Sequence, residues 1–449
     1  MWTESDCLGN PATLDDETSL APLNDFVEGF IASEARAVNI LGAAESDASP
    51  IIQACAAAVH MFAESADAPR NARPFLDRAL DGEGRCTPRE RRFMHAVGAW
   101  VEGDTPQAIA LHEEQAHEFP RDLASLKLGH YHLFNRGDSP GMLRLALAAL
   151  PAAGDVPYLH GMLAFAWEQC HLLEEAQAAA LKAISMRRKE PWAHHALAHV
   201  MLTQGRIREG HAFLADVSGT WTGLNSFMVT HNWWHQALFA LELGDHPQVL
   251  QLYDQQVWGV AKEYSQDQVN AVSLLARLEL AGVDVGDRWQ DVGTYLARRT
   301  ADHVLPFLDM QYLYGLARAG RDEADTLMRN IESHAAKVAG HASEAWQRVC
   351  IPASRGLLAH ARGDYLRAID ELGQALPRLV EIGGSHAQRD LFSQVFLDSL
   401  IRAGRLAGAQ NLLAQQLRNQ PESARLKRQA ADVYAALGLG SVAASLRWS

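Results

Sequence analysis

The sequence predicts an all-α chain of stacked helical hairpins, and three observations carry the prediction. Apolar residues recur at i, i+3, i+4 and i+7 almost everywhere after Leu20, the period of one helix face. Runs in which β-branched and polar residues alternate are absent, so no half-buried strand is expected. Short stretches rich in Ala, Leu, Gln, Glu and Arg are punctuated by a recurring joint: an apolar helix end, then Gly with Asp or Arg, then a second helix.

Examples of the joint are Glu102 to Ala110, Gln204 to Phe213, Leu243 to Leu250, Arg362 to Ile369 and Ala403 to Gln410. Its glycines, Gly103, Gly137, Gly205, Gly244, Gly282, Gly320, Gly363, Gly404 and Gly438, are separated by 34, 68, 39, 38, 38, 43, 41 and 34 residues. Several intervals match one or two tetratricopeptide periods, with a joint near His171 filling the longest. A left-handed residue must end each first helix so that the chain can reverse, and glycine takes that conformation most readily. The fold class is therefore a tetratricopeptide-like α-solenoid of helical hairpins whose later half has room to curl back and close it.

Before Thr87 the pattern is irregular, and an N-terminal helical cap (1–86) is expected, with helices over Ala21–Leu41, Ser49–Ala63 and Arg73–Leu80. Residues 87–449 read as one continuous repeat solenoid, more degenerate after 245. The segment Gly282 to Val292 is the most loop-like interior stretch.

Composition bounds the function. Hydrophobic residues make up 48% and charged residues 21% of the chain, enough apolar surface for a large core. The formal charge of −14 opposes binding to phosphate backbones and anionic lipid, so neither nucleic acid nor membrane is expected as a partner. The five cysteines, Cys7, Cys55, Cys86, Cys170 and Cys350, are scattered, as in a reducing compartment. The first ten residues are acidic rather than signal-like, and a soluble cytoplasmic protein is expected.

The runs HNWWHQAL (His231 to Leu238), GVDVGDRWQDV (Gly282 to Val292), DHVLPFLD (Asp302 to Asp309) and GGSHAQRDLF (Gly383 to Phe392) together resemble the tetratricopeptide repeat protein 38 family. The likeness runs from the opening segment to the last hairpins and implies the helical-repeat fold, without a settled activity. Within it His195, His199, Asp267 and Arg277 match family positions. His194 is a departure, and Met201 and Leu202 stand where the family often carries a further histidine and an acid.

The candidate site is a stripe of histidines. His195 and His199 are i, i+4 and share a helix face; His231 and His235 repeat the arrangement 36 residues on. Stepping by about one repeat extends the stripe back to His160 and forward to Asp267, then to Asp302 and His303. Asn232 stands between the members of the second pair. In the GGSHAQRDLF run, Ser385 suits an N-cap, and His386, Gln388, Arg389 and Asp390 occupy the first turns that follow, either as a capped helix or as a grip on a carboxylate or phosphate. The whole stripe is equally what packing produces, since Trp192, Trp233 and Trp234 lie among the histidines.

Three readings stay open. The first is a binding protein whose His-rich groove holds a small anionic molecule or a peptide segment, with no cofactor. The second is an enzyme, in which His195, His199, His231 and His235 hold a divalent transition metal or act as acid and base; H-E-x-x-H is absent, so no protease-type base is built in. The third is an assembly scaffold, which requires an exposed apolar patch. Oligomeric state is not legible.

Overall fold

The computed structural model describes residues 2–421 and 423–448. Among them the chain forms 24 α-helices and one two-stranded sheet. Four helices come first: α1 (Leu20–Ile31), α2 (Ile40–Ser46), α3 (Pro50–Met61) and α4 (Ala68–Asp81). Hairpins follow in chain order. They are α5 (Pro88–Val101) with α6 (Thr105–Glu118), α7 (Leu123–Asn135) with α8 (Ser139–Ala153), α9 (Pro157–Gln169) with α10 (Leu173–Met186), and α11 (Pro191–Thr203) with α12 (Ile207–Val217). The series continues with α13 (Ser226–Leu243) and α14 (His246–Leu252), α15 (Ser265–Leu280) and α16 (Arg288–Leu296), and α17 (Pro306–Arg318) and α18 (Glu323–Ala335). It ends with α19 (Ile351–Ala361) and α20 (Tyr365–Ala375), α21 (His386–Arg402) and α22 (Leu406–Asn419), and α23 (Ala424–Ala436) and α24 (Gly440–Trp448).

Each hairpin turns on the same device. The nine joint glycines have φ between 66° and 81°, and the tenth joint is made by His171 at φ 58°. The next residue returns its N–H to the carbonyl five positions back, as Asp104 does to Ala99 (2.8 Å), Leu172 to Trp167 (3.0 Å) and Leu439 to Tyr434 (2.9 Å). These bonds satisfy carbonyls that the helix end leaves over. Where aspartate follows the glycine it caps the second helix: Asp104 accepts from the Gln107 N–H, Asp138 from Gly141, Asp245 from Gln248 and Asp364 from Arg367.

Contacts divide the chain into two compact units, Met1–Leu197 with Val217–Val229, and Ala198–Asp216 with Thr230–Ser449. In the first unit, β1 (Trp2–Ser5) pairs antiparallel with β2 (Pro11–Leu14), with Trp2 opposite Leu14. The sheet was not expected. Its alternate residues Ala12 and Leu14 are fully buried, and charged side chains hold its backbone: Glu90 accepts from the Thr13 N–H (2.7 Å), and Arg89, paired with Asp122, donates to the Pro11 carbonyl (2.9 Å). The helix expected over Ala21–Leu41 is broken, because α1 stops at Ile31 and Ser33 adopts φ 57° before a short 3-10 turn at Ala35–Asn39. The other two cap helices appear as α3 and α4.

In the second unit α15 and α17 are buried on nearly every face, whereas α23 buries one. Along α15 the buried residues include Asp267, Gln268, Asn270, Ser273 and Arg277 among the aliphatic ones. The surrounding core contains Trp234, Tyr312, Tyr314 and Phe392. The Gly282 to Val292 segment is loop only as far as Asp287, after which Arg288 opens α16. Two π-helical turns, Tyr253–Val257 and Ala345–Cys350, interrupt the later repeats. The start of α21 packs on α15, so the late hairpins return to earlier ones within this unit, as Arg277 donating to the Ala387 carbonyl (2.6 Å) marks.

Candidate functional site

Three of the expected histidines meet in the second unit. His199 comes from α11; His231 and His235 lie one turn apart on α13, where i, i+4 spacing puts them on one face. The His235 ring lies 4.4 Å from that of His199 and 4.9 Å from that of His231, centroid to centroid. One ring nitrogen from each can be chosen such that all lie within 4.8 Å of one another, and all three rings are buried.

A chain of hydrogen bonds fixes the proton on His231. The Thr230 hydroxyl donates to Asp267 (2.7 Å), so its oxygen receives the Asn270 amide (3.3 Å). Asn270 therefore turns its carbonyl oxygen to His231 Nδ1 (2.9 Å). An oxygen acceptor there requires Nδ1–H, which leaves Nε2 with a lone pair. Burial pushes the His231 imidazole down to about 3, against the opposing effect of the Asn270 bond, so the ring is neutral at ordinary pH.

Trp234 joins this cluster to a buried cation. Its indole stacks on His231 (5.1 Å, 9° between planes) and meets His235 edge-on (4.9 Å), while the Arg277 guanidinium lies over the ring at 5.4 Å. Arg277 is 3% exposed. Its guanidinium donates to the Ser273 hydroxyl and carbonyl and to the Ala387 carbonyl, and among the described residues it makes no ion pair. Burial pulls it down to about 10, and the helpful charges of Asp390 and Glu242 act only from a distance. Glu242 is already paired with Arg425 (2.7 Å).

The α21 motif behaves as a capped helix. Ser385 and Gln388 form a reciprocal capping box, Arg389 donates to the carbonyls of Gly383 and Gly384, and His386 Nδ1 lies 3.4 Å from Arg389. Asp390 accepts from Gln394 (2.5 Å). Gly384 is required there: its φ is 76°, and a Cβ would stand 2.8 Å from the Phe307 ring.

His195 precedes His199 by one turn on α11 and packs on Phe165 and Trp192 (4.9 and 5.1 Å) in the first unit. The departure His194 accepts the Trp221 indole N–H (3.1 Å). Asn232 is buried on α13, next to His231 in sequence and so turned to another face. Asp302 pairs with Arg299 (3.0 Å); His303, at φ 47°, bonds Asp309 (2.6 Å) and stacks on His334 (4.9 Å). Those contacts, not the histidine cluster, occupy the two side chains. His160 bonds the Gly154 carbonyl (2.9 Å) at the end of α8.

Sequence reasoning missed Thr230, Asn270 and Ser273. A polar residue one repeat beyond His231 was the available signal for Asn270, but it needs the helix register to be read. In the first unit, Lys127 closes the end of α1 by donating to the carbonyls of Phe30 and Ile31 and to Ser33. Burial pulls that ammonium down to about 7 and pushes the Glu190 carboxyl up to about 7.

No family model matches the chain. Among solved structures, the human IFIT1 dimer with PPP-AAAA aligns over 97% of this chain and 94% of that one, at 11% identity and a TM-score of 0.43. The Cut9 and Hcn1 hetero-tetramer of the APC/C aligns over 96% and 92%, at 11% identity and a TM-score of 0.35. Naa15/Naa10 bound to HypK-THB aligns over 96% and 68%, at 12% identity and a TM-score of 0.26. Such distant likenesses assign no ligand or activity, and they lend no support to the expected exclusion of nucleic acid. Among the described residues no helix is long and apolar enough to cross a membrane.

Proposed function

We propose that the chain is a helical-repeat binding protein that holds a small anionic molecule against Arg277 in the interior of its second unit. One observation carries the reading: Arg277 is a buried guanidinium whose bonds, among the described residues, go to carbonyls and a hydroxyl. Burying a charge without a counter-charge costs several kcal/mol, and a carboxylate or phosphate would supply the missing partner in the bidentate geometry that guanidinium favours. The α21 start lies beside Arg277, so the positive end of a 17-residue helix adds to the attraction. On α17, Gln311 is buried with neither amide atom bonded among the described residues, a further polar group suited to a ligand.

The near-complete burial of the inner helices favours a small molecule over an extended peptide. The depressed His231 imidazole is a poor acid–base catalyst near neutrality, which favours binding over proton transfer at that ring. Exposed apolar side chains are mostly scattered singly, which gives the scaffold reading little footing. Kinship with the tetratricopeptide repeat protein 38 family rests on the four sequence motifs, and a cytoplasmic setting on the five free cysteines.

The test is thermal unfolding with inorganic phosphate and with citrate, on the wild type and on Arg277→Met. The wild type is expected to gain stability with anion concentration, by about 2.7 kcal/mol at a hundred times Kd. Arg277→Met should show no anion dependence. An equal response in both proteins would refute the reading.

A further inference from the structure

The histidines of α11 and α13 stand on a separate observation from Arg277. We propose that His199, His231 and His235 form a binding site for one late first-row divalent metal ion of the zinc or cobalt type. The three side chains offer ring nitrogens within 4.8 Å of one another, whereas ligands around a tetrahedral zinc lie roughly 3.3 Å apart at ordinary Zn–N lengths. Binding would require the rings to turn inward by that difference.

The surroundings are those of a ligand set. An imidazole that binds metal through one nitrogen donates its other N–H to an oxygen, which fixes ring orientation and tautomer. His231 does this through Nδ1 to Asn270, and the chain through Thr230 to Asp267 leaves Asn270 no alternative orientation. Nε2 is then the ligating atom.

Imidazole-only coordination selects the ion. Three neutral nitrogen donors suit zinc, cobalt, nickel or copper and give little hold on magnesium or calcium, which take oxygen ligands. Three ligands also leave at least one tetrahedral position for another donor. Trp234 touches His231, His235 and Arg277, so the metal site and the anion site share a wall while using different side chains.

The experiment uses the full chain, stripped with a chelator and then titrated with Co²⁺, read by visible ligand-field absorption and by metal content after gel filtration. One equivalent is expected, displaced by Zn²⁺. His199→Ala and His235→Ala should weaken binding at least ~100-fold, with helix content checked by circular dichroism. Asn270→Leu keeps all three ligands and should weaken binding by about 10- to 100-fold, a readout that survives if an alanine variant fails to fold. His303→Ala should bind as the wild type does. Failure of the folded wild type to take up either metal, or Co²⁺ binding unchanged in a folded His235→Ala, overturns the proposal. Arg277→Met should still bind Co²⁺, so the loss of anion response and the loss of metal uptake are read independently.

Discussion

Thr230 is a small side chain with a large share in the order of the second unit. Its hydroxyl gives its proton to Asp267 and accepts from Asn270, so one oxygen sets the amide that sets the imidazole of His231. Thr230→Val keeps the shape and removes that oxygen. Leaving buried polar groups short of a partner costs about 1 to 3 kcal/mol, and urea unfolding should show a loss of that size, whereas a surface Thr→Val change should show almost none. The paired histidines were legible because i, i+4 spacing alone places them on one face. Arg277 was visible only as a family match, since nothing in a linear pattern says that a lone arginine lacks a counter-charge. Asp302 and His303 were misplaced on the stripe because they precede α17 in a bend where His303 takes φ 47°, and counting by repeat length assumes a helix there.

At the scale of the element, the joint is the unit of construction. Gly103 has no atom within 4 Å of where a Cβ would stand and a φ of 79°, so Gly103→Ala isolates the backbone term and should cost about 1 to 2 kcal/mol. His171 makes the same turn at φ 58° on an exposed residue. His171→Gly relieves that strain at an entropic cost of roughly 0.5 to 1 kcal/mol, so the expected change is neutral to mildly stabilising. Thermal midpoints of the two variants should move in opposite directions or differ by several degrees. Glycine spacing made ten joints readable, the histidine one included, because the period is imposed by stacking. The β1–β2 hairpin was not readable: WTES and PATL are too short and too polar to show a face, and the groups that hold them, Glu90 and Arg89, come from α5. The break in the first cap helix turns on Ser33 alone, which carries no breaker signature.

Across the whole molecule, the titration balance is set by buried imidazoles. Burial holds His112 and His231 at about 3 and His130 at about 4, and pulls His132 well down. Each is neutral when folded and protonated when unfolded between pH 6.5 and its folded value, so the unfolded state binds more protons and stability falls as pH falls through that window. Each contributes roughly 1.4 kcal/mol per pH unit there. Glu190 and Asp309, raised to about 7 and about 6 by burial, act in the opposite sense: as pH falls they take up protons in the folded state first, and stability is regained. With Asp6 also raised and His60 and His334 also lowered by burial, three such acids are outnumbered by six histidines. The unfolding free energy from urea titration should therefore drop by several kcal/mol between pH 7 and pH 5; a flat profile would contradict the burial of these rings.

The hydrogen bond from Arg277 to Ala387 crosses 110 positions of sequence. At synthesis rates of about 5 to 20 residues per second, α15 leaves the ribosome roughly 5 to 20 s before the segment that covers it exists. During that interval its polar side chains are hydrated and the guanidinium keeps its water. Enclosure of Arg277 is thus a late event in the life of each newly made molecule.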